Sequence, residues 1–581
     1  MSEPLRVANC SGFYGDRLSA AREMVEGGPI DVLTGDYLAE LTMLILLKDK
    51  MKDAQRGYAG TFLRQLQDVA ASCRERDIKI VVNAGGMNPS SLAGAAQRVY
   101  DATGLGGRVA YIEGDDLLDR LDELQAAGED FTHIDHGIPL SRLDQKVLSA
   151  NAYLGGFGIV EALRRGADLV ICPRVTDAAL VVGPAAWRFG WARDDWDPLA
   201  GAVVAGHIIE CGAQCTGGNY SFFKEIGPMK RAGFPIVEMH ADGSFVVTKH
   251  QGTDGEVSIG TVTAQLLYEI QSNRYANPDV IARFDTIRLE REGRDRVRVS
   301  GIRGEPAPPT IKVCMNYLGG YKNSTTFVLP GLDIEEKARL VEDGFWEHVG
   351  GREQFEETRV TLRHGGEPGA QAFALLTIAA RDREERKVGR AFWNAAIEMA
   401  LANYPGFQTA GSSRSALAVT VYWPALVSAD KIEERVVLDG EAVAVPPGPP
   451  GGACAPIAAP APPDGEIPSG PTRIAALGEV LGARSGDKGG NANVGFWARM
   501  PEAYLWMADF LTEDRIRELY PEARDLEIER WELPNILSLN FVIHGLLGEG
   551  VSASLRPDPQ AKMLGEEIRA KKVPIPEALL S

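Results

Sequence analysis

The sequence predicts an α/β protein: a mainly parallel, doubly wound sheet in the N-terminal part, a β-rich α+β middle part and a small α+β domain at the C-terminus. Three observations predict it. Between Arg6 and Cys172, five short apolar runs each end in a polar turn and alternate with helical pattern, the signature of βα units. From Gly233 onward apolar residues alternate instead, as in half-buried strands. Residues 444–471 then turn to Pro, Gly and Ala, including Pro446-Pro-Gly-Pro-Pro450, a composition that buries no core and reads as a semi-stiff linker.

The expected division is therefore a large region, 1–443, split into 1–230 (α/β) and 231–443 (β-rich α+β), the linker 444–471, and a small domain, 472–581. A chain of 581 residues is long enough for several cores. Its net charge of −19 argues against nucleic acid as a partner, because phosphate binding needs clustered Lys and Arg. No apolar run approaches the ~18 residues of a membrane helix, and the first residues lack an apolar signal core. Cysteines at 10, 73, 172, 211, 215, 314 and 454 are odd in number and scattered, as free thiols are in a reducing compartment. These features together predict a cytoplasmic protein with a small-molecule substrate; a homo-oligomer is expected.

In order, the five buried-type strands are Arg6–Cys10, Asp31–Thr34, Ile78–Val82, Arg108–Ile112 and Asp168–Ile171. Ligands of parallel sheets sit at the carboxyl ends of the strands. Asp16, Asp36, Asn83, Asn88, Glu113, Arg174 and Asp177 follow those ends and are candidates to line one cleft, although each singly could be a turn-former or helix cap. Gly85 and Gly86, leading through Asn88 into a helix, are the best early candidates for phosphate binding by backbone amides. No G-x-G-x-x-G survives inspection, so a dinucleotide cofactor is not expected. His133-Ile-Asp-His136 lacks the helical context of a zinc motif, and no metal site is expected.

The densest chemistry lies in Gly206-His-Ile-Ile-Glu-Cys-Gly-Ala-Gln-Cys-Thr-Gly-Gly-Asn219, at what reads as a helix end. His207, Glu210 and Cys211 can share a helix face. His207 or Glu210 could serve as a general base, and Thr216, Gly217, Gly218 and Asn219 could offer amides to a developing oxyanion. A helix C-terminus disfavours a Cys211 thiolate and favours His207 as imidazolium.

After the linker, Arg473–Val480 reads as a strand, Pro501–Leu519 and Gln560–Lys571 as helices, and Leu526–Leu533 and Leu537–Ile543 as strands. Arg484, Ser485, Asp487 and Lys488 on a Gly-rich loop, with Asn535, Asn540 and His544, could hold a carboxylate or phosphate. The motif Ala483-Arg-Ser-Gly-Asp-Lys-Gly-Gly-Asn-Ala-Asn493, with Leu533-Pro-Asn535 and Asn540-Phe-Val-Ile-His-Gly545, resembles the small ferredoxin-like domain of the acyclic terpene utilisation family. Tyr153-Leu-Gly-Gly156, Arg174-Val-Thr-Asp177, the Gly206–Asn219 stretch, and Glu269-Ile with Asn277-Pro-Asp279 resemble its large domain. That family takes its name from bacterial breakdown of acyclic terpenes such as citronellol and geraniol, which runs through coenzyme A thioesters. The resemblance implies a place in acyl-CoA catabolism, and with His207 or Glu210 as base the expected activity is that of a hydratase-type lyase on a branched or terpene-derived acyl-CoA, with no cofactor besides the thioester's own coenzyme A. Two alternatives stand beside it: a non-catalytic binding or assembly subunit of an acyl-CoA carboxylase system, and a Cys211-dependent acyl hydrolase or transferase.

Overall fold

The computed structural model describes residues 3–366, 372–448, 451–452 and 456–580. Its largest sheet has eleven strands, in the spatial order Arg288–Gly293, Arg296–Ser300, Phe245–Lys249, Pro235–Met239, Leu5–Asn9, Val32–Gly35, Lys79–Val82, Leu169–Ile171, Val109–Glu113, Arg435–Leu438 and Glu441–Ala444. The five central strands, Leu5–Asn9 to Val109–Glu113 in that order, are the five βα strands, and they pair in parallel. Side chains alternate across them. Val7, Val32, Val81 and Val170 pack beneath the helices Phe157–Arg164, Ala179–Phe189 and Trp196–Ile209; Ala8, Leu33, Ile80, Val82 and Ile171 face Ala20–Glu26, Gly60–Glu75 and Pro89–Thr103. Apolar burial on both faces explains the continuous Val/Ile/Leu runs.

The sheet as a whole is mixed, which corrects the expectation of a mainly parallel one. Only four of its ten neighbouring pairings are parallel. The added strands arrive as hairpins, whose short turns permit only antiparallel pairing. Arg435–Leu438 and Glu441–Ala444 are joined by Asp439 (φ 54°) and Gly440 (φ 81°), both in the left-handed region that a two-residue hairpin turn requires. Strands from beyond residue 231 thus complete the sheet that the first 230 residues begin.

A second sheet is built around the 21-residue strand Thr310–Pro330. It pairs with Phe373–Asp382, Thr409–Ser412 and Leu417–Ser428, and also with Val147–Ala152 from the N-terminal region. Among the described residues of 445–471 there is no strand or α-helix. Pro449, Pro450 and Cys454 lie outside the described residues.

The C-terminal part is a four-stranded antiparallel sheet, Leu481–Lys488, Asn491–Ala498, Ser538–Ile543 and Ile528–Leu533, with the helices Pro501–Phe510, Glu513–Leu519 and Leu564–Arg569 and a core of its own. It docks closely on the large region. A Cβ at Gly486 would lie 2.5 Å from Cε2 of Tyr268, so only glycine allows that approach. Asn535 Nδ2 donates to the carbonyls of Phe284 and Ile287, both at 2.9 Å, and Glu269 N donates to Asn493 Oδ1 at 2.8 Å. No helix among the described residues is long and apolar enough to cross a membrane.

Candidate functional site

Three carboxylates that are far apart in sequence meet where the two parts touch. Asp36 follows the strand Val32–Gly35, Asp177 lies beyond Leu169–Ile171, and Glu210 closes the helix Trp196–Ile209. One carboxylate oxygen from each lies within 4.8 Å of the other two. Asp36 and Glu210 are buried and Asp177 is half-buried.

Each is oriented through one of its oxygens. Asp36 Oδ1 accepts from Leu38 N at 3.0 Å and Asn83 Nδ2 at 2.6 Å, and Asn83 is itself aligned by the Tyr37 amide at 2.8 Å. Asp177 Oδ1 is 3.3 Å from Arg174 Nη1, whose guanidinium stacks 4.2 Å over the Tyr153 ring. Glu210 Oε1 is 3.6 Å from His207 Nδ1, while Glu210 Oε2 is buried with no hydrogen-bond partner among the described residues. Burial, followed by repulsion from Asp177, holds Asp36 well above the usual carboxylate range. Burial and then Asp177, Asp36 and Glu269 do the same to Glu210, against an opposing pull from Lys488. Like charges this close in a poorly solvated place cannot all ionise freely.

His207 is 1% exposed, 5.0 Å from the Tyr275 ring and 5.6 Å from Phe284. Neither ring nitrogen makes a hydrogen bond of full geometry among the described residues, although the Leu266 and Gln265 backbone approaches closely enough to favour the protonated ring. Burial first, then Lys488, pushes it down to about 4, so the ring is neutral. This overturns the imidazolium expected from helix polarity: a helix end contributes up to about 2 kcal/mol, and desolvation of a fully enclosed cation outweighs it. Cys211 is pushed well above the ordinary thiol range, first by burial of its sulfur and then by Glu210, Glu269 and Asp36. A thiolate there is doubly opposed.

The small domain closes the site. Lys488 stands 5.9 Å over Tyr275 and acts on both His207 and Glu210. Arg484 stacks 4.1 Å over Tyr268 and hydrogen-bonds to Gln214. Asp487 lines a cleft between the two parts, together with Ala39, Asn316, Tyr422 and Gly489. Ser485, whose Oγ accepts from Gly565 N at 2.9 Å, borders a second interdomain cavity with Asn219, Ser221, Arg484 and Lys562.

Other expected site residues serve the fold. The amides of Thr216, Gly217 and Gly218 donate to the Ala213 and Gln214 carbonyls, so three of the four amides of the anticipated oxyanion nest are spent on their own turn. Gly85 N donates to Cys172 O, Gly86 N to Asn83 O and Asn88 N to Gly85 O, so no phosphate cradle is left there; Asn88 caps the following helix. Asp16 holds its own turn, accepting from Gly12 N and Arg17 N. Asn535 fastens the interface, as does Asn540, which donates to Ile270 O at 3.2 Å. His544 pairs with Glu529 at 3.4 Å, half-exposed and apart from the cluster. Sequence reasoning missed Tyr268, Glu269 and Tyr275 as site residues. The only sequence signal was Glu269 within a family-like motif; its φ of 58°, rare for glutamate, is visible only in the fold.

The family model described as acyclic terpene utilisation family protein AtuA matches residues 5–438. The chain belongs to the acyclic terpene utilisation family. A second model, the AtuA ferredoxin-like domain, matches 475–574. The family's two parts therefore lie on either side of the linker, and the site draws its carboxylates from the first and Lys488 from the second. No curated protein and no solved structure matches the chain significantly.

Proposed function

We propose that the protein is an enzyme of acyl-CoA catabolism, a lyase of hydratase type acting on branched or acyclic-terpene-derived acyl-CoA thioesters. The observation that carries this reading is the convergence of acid–base groups from both parts, Glu210, His207, Asp36 and Lys488, at one buried place. Dehydration of a 3-hydroxyacyl thioester removes the α proton and the β hydroxyl, which leaves as water once protonated. Such a step needs a base on one side of the substrate and an acid on the other, kept from bulk solvent. His207 and Glu210, 3.6 Å apart and buried, supply a proton acceptor, and the carboxyls or Lys488 return the proton. The family's name supports a terpene-derived acyl chain. The raised Cys211 thiol speaks against the thiol hydrolase or transferase reading.

The test is incubation of the purified protein with branched enoyl-CoA and 3-hydroxyacyl-CoA thioesters. The expected result is gain or loss of one water by mass, reduced at least 100-fold in Glu210→Gln and His207→Ala. No turnover, together with tight association with an acyl-CoA carboxylase, would instead favour an assembly subunit. A covalent acyl adduct on Cys211 would favour thiol chemistry.

A further inference from the structure

The geometry points to a binding site for one hard divalent cation, of the Mg2+, Mn2+ or Ca2+ class, formed by Asp36, Asp177 and Glu210. Oxygens bound to one ion lie no further apart than twice the metal–oxygen distance, roughly 4.2 Å for Mg2+ and 4.6–5.2 Å for Ca2+. The 4.8 Å within which the three oxygens fall admits a calcium-sized ion directly and a magnesium-sized one after a slight contraction. An all-carboxylate donor set selects hard cations over zinc or copper.

Two observations besides the acidic cluster point to a ligand. The first is the division of labour on the carboxylates. Asn83 and Leu38 both donate to Oδ1 of Asp36, Arg174 faces Oδ1 of Asp177, and His207 faces Oε1 of Glu210. The other oxygen of Glu210, Oε2, is buried and has no hydrogen-bond partner among the described residues. Neighbours that fix one oxygen and leave its mate free are what metal-binding carboxylates require. The second is His207, outside the cluster and 1% exposed, with Nδ1 directed at Glu210 3.6 Å away and no hydrogen bond of full geometry on either nitrogen among the described residues, although the Leu266 and Gln265 backbone lies close to the ring. A buried ring left unsatisfied against a buried, unsatisfied carboxylate is costly unless something completes the group.

Charge agrees. Asp177 acts on Asp36, and Asp177, Asp36 and Glu269 act on Glu210, while the cations among the groups acting directly on these two are Arg174 and Lys488. The excess is negative. The ion also answers a need created by the spent amides of Thr216, Gly217 and Gly218, since an enolate oxygen formed in the reaction proposed above still needs an electrophile, and a bound cation supplies one. Its binding stands independently of that reaction; only this role rests on it. With Glu210 on the ion, proton transfer falls to His207.

The experiment uses the full chain, stripped with chelator and dialysed, then titrated calorimetrically with Mg2+, Ca2+ and Mn2+, with Mn2+ also followed by its free-ion paramagnetic resonance signal. One equivalent is expected to bind and to raise Tm. Asp36→Asn and Glu210→Gln, near-isosteric and checked by near-ultraviolet circular dichroism, are expected to weaken binding at least tenfold while remaining folded. His207→Ala is expected to keep the ion and lose turnover. Absence of binding at millimolar cation, or binding unchanged in both carboxylate variants, overturns the site. Thioester turnover that survives chelation overturns the cation's role and leaves the lyase reading standing. Ion binding without turnover leaves the site and removes the reaction.

Discussion

Glu434 shows what one side chain contributes away from the site. Burial, reinforced by Asp279 and opposed by Arg193, pushes its carboxyl up to about 8 from an ordinary 4.5. Its folded pKa lies above its unfolded one. It therefore favours the folded state fully below pH 4.5, and that stability is lost as pH rises through about 8. Glu434→Gln, which cannot ionise, is expected to flatten this part of the pH dependence, raising Tm relative to the parent at pH 8 on the order of 2 °C and changing it little at pH 4.5. Thermal scans of both proteins across that range check it, and parallel curves would contradict it. The same scale marks how far the site was legible in the sequence. Asp36 and Asp177 could be placed at strand ends because the polar turns after apolar runs are local signals, and Glu210 stood out by its neighbours. That one oxygen of each would come within 4.8 Å of the others could not be read, because it depends on how the helix Trp196–Ile209 crosses the sheet. Thr216 to Gly218 misled for a related reason: glycine-rich composition shows that amides can be aimed, not whether carbonyls nearby already hold them.

Among the elements, the strand Leu481–Lys488 does the most to join fold to site, since its residues 484 and 488 reach the large region while Gly486 between them lets the Tyr268 ring pack against the strand. Gly486→Val is expected to push this strand off Tyr268 and reduce turnover more than overall helix content, measurable by comparing activity with circular dichroism. Asn535→Ala leaves the Phe284 and Ile287 carbonyls without their donor, at a cost of roughly 1–3 kcal/mol, to be read from denaturant unfolding. The five parallel strands were legible because burial on both faces leaves unbroken apolar runs. Phe245–Thr248, Thr286–Glu290 and Val297–Val299 read as half-buried strands, but their antiparallel place in the first sheet was not read, although Asp242-Gly243 and Asp439-Gly440 sit where hairpin turns would put them. Local turn chemistry carried the information; a βα rhythm upstream overshadowed it.

For the whole molecule, the linker joins two parts that are already held by direct contacts. Asn535, Asn540, Glu269 with Asn493, and Asn491 with Asp135 bond across the interface. Limited proteolysis between 456 and 471 is therefore expected to leave both fragments co-eluting in size-exclusion chromatography, with activity retained; separation at low micromolar concentration would show that the contacts depend on the tether. A Pro/Ala-rich stretch is visible in composition without any knowledge of contacts. The docking itself was not visible, since asparagines that fasten an interface look in sequence like asparagines that hold a ligand.

The strand Val147–Ala152 has its ladder partner in Thr310–Pro330. During synthesis this edge emerges long before the chain that covers it, and at 5–20 residues per second the intervening segment takes roughly 10–30 s to appear. For that interval the nascent chain carries an unpaired strand beside a nearly finished parallel core, a ready surface for chaperones or for a neighbouring nascent copy on the same polysome.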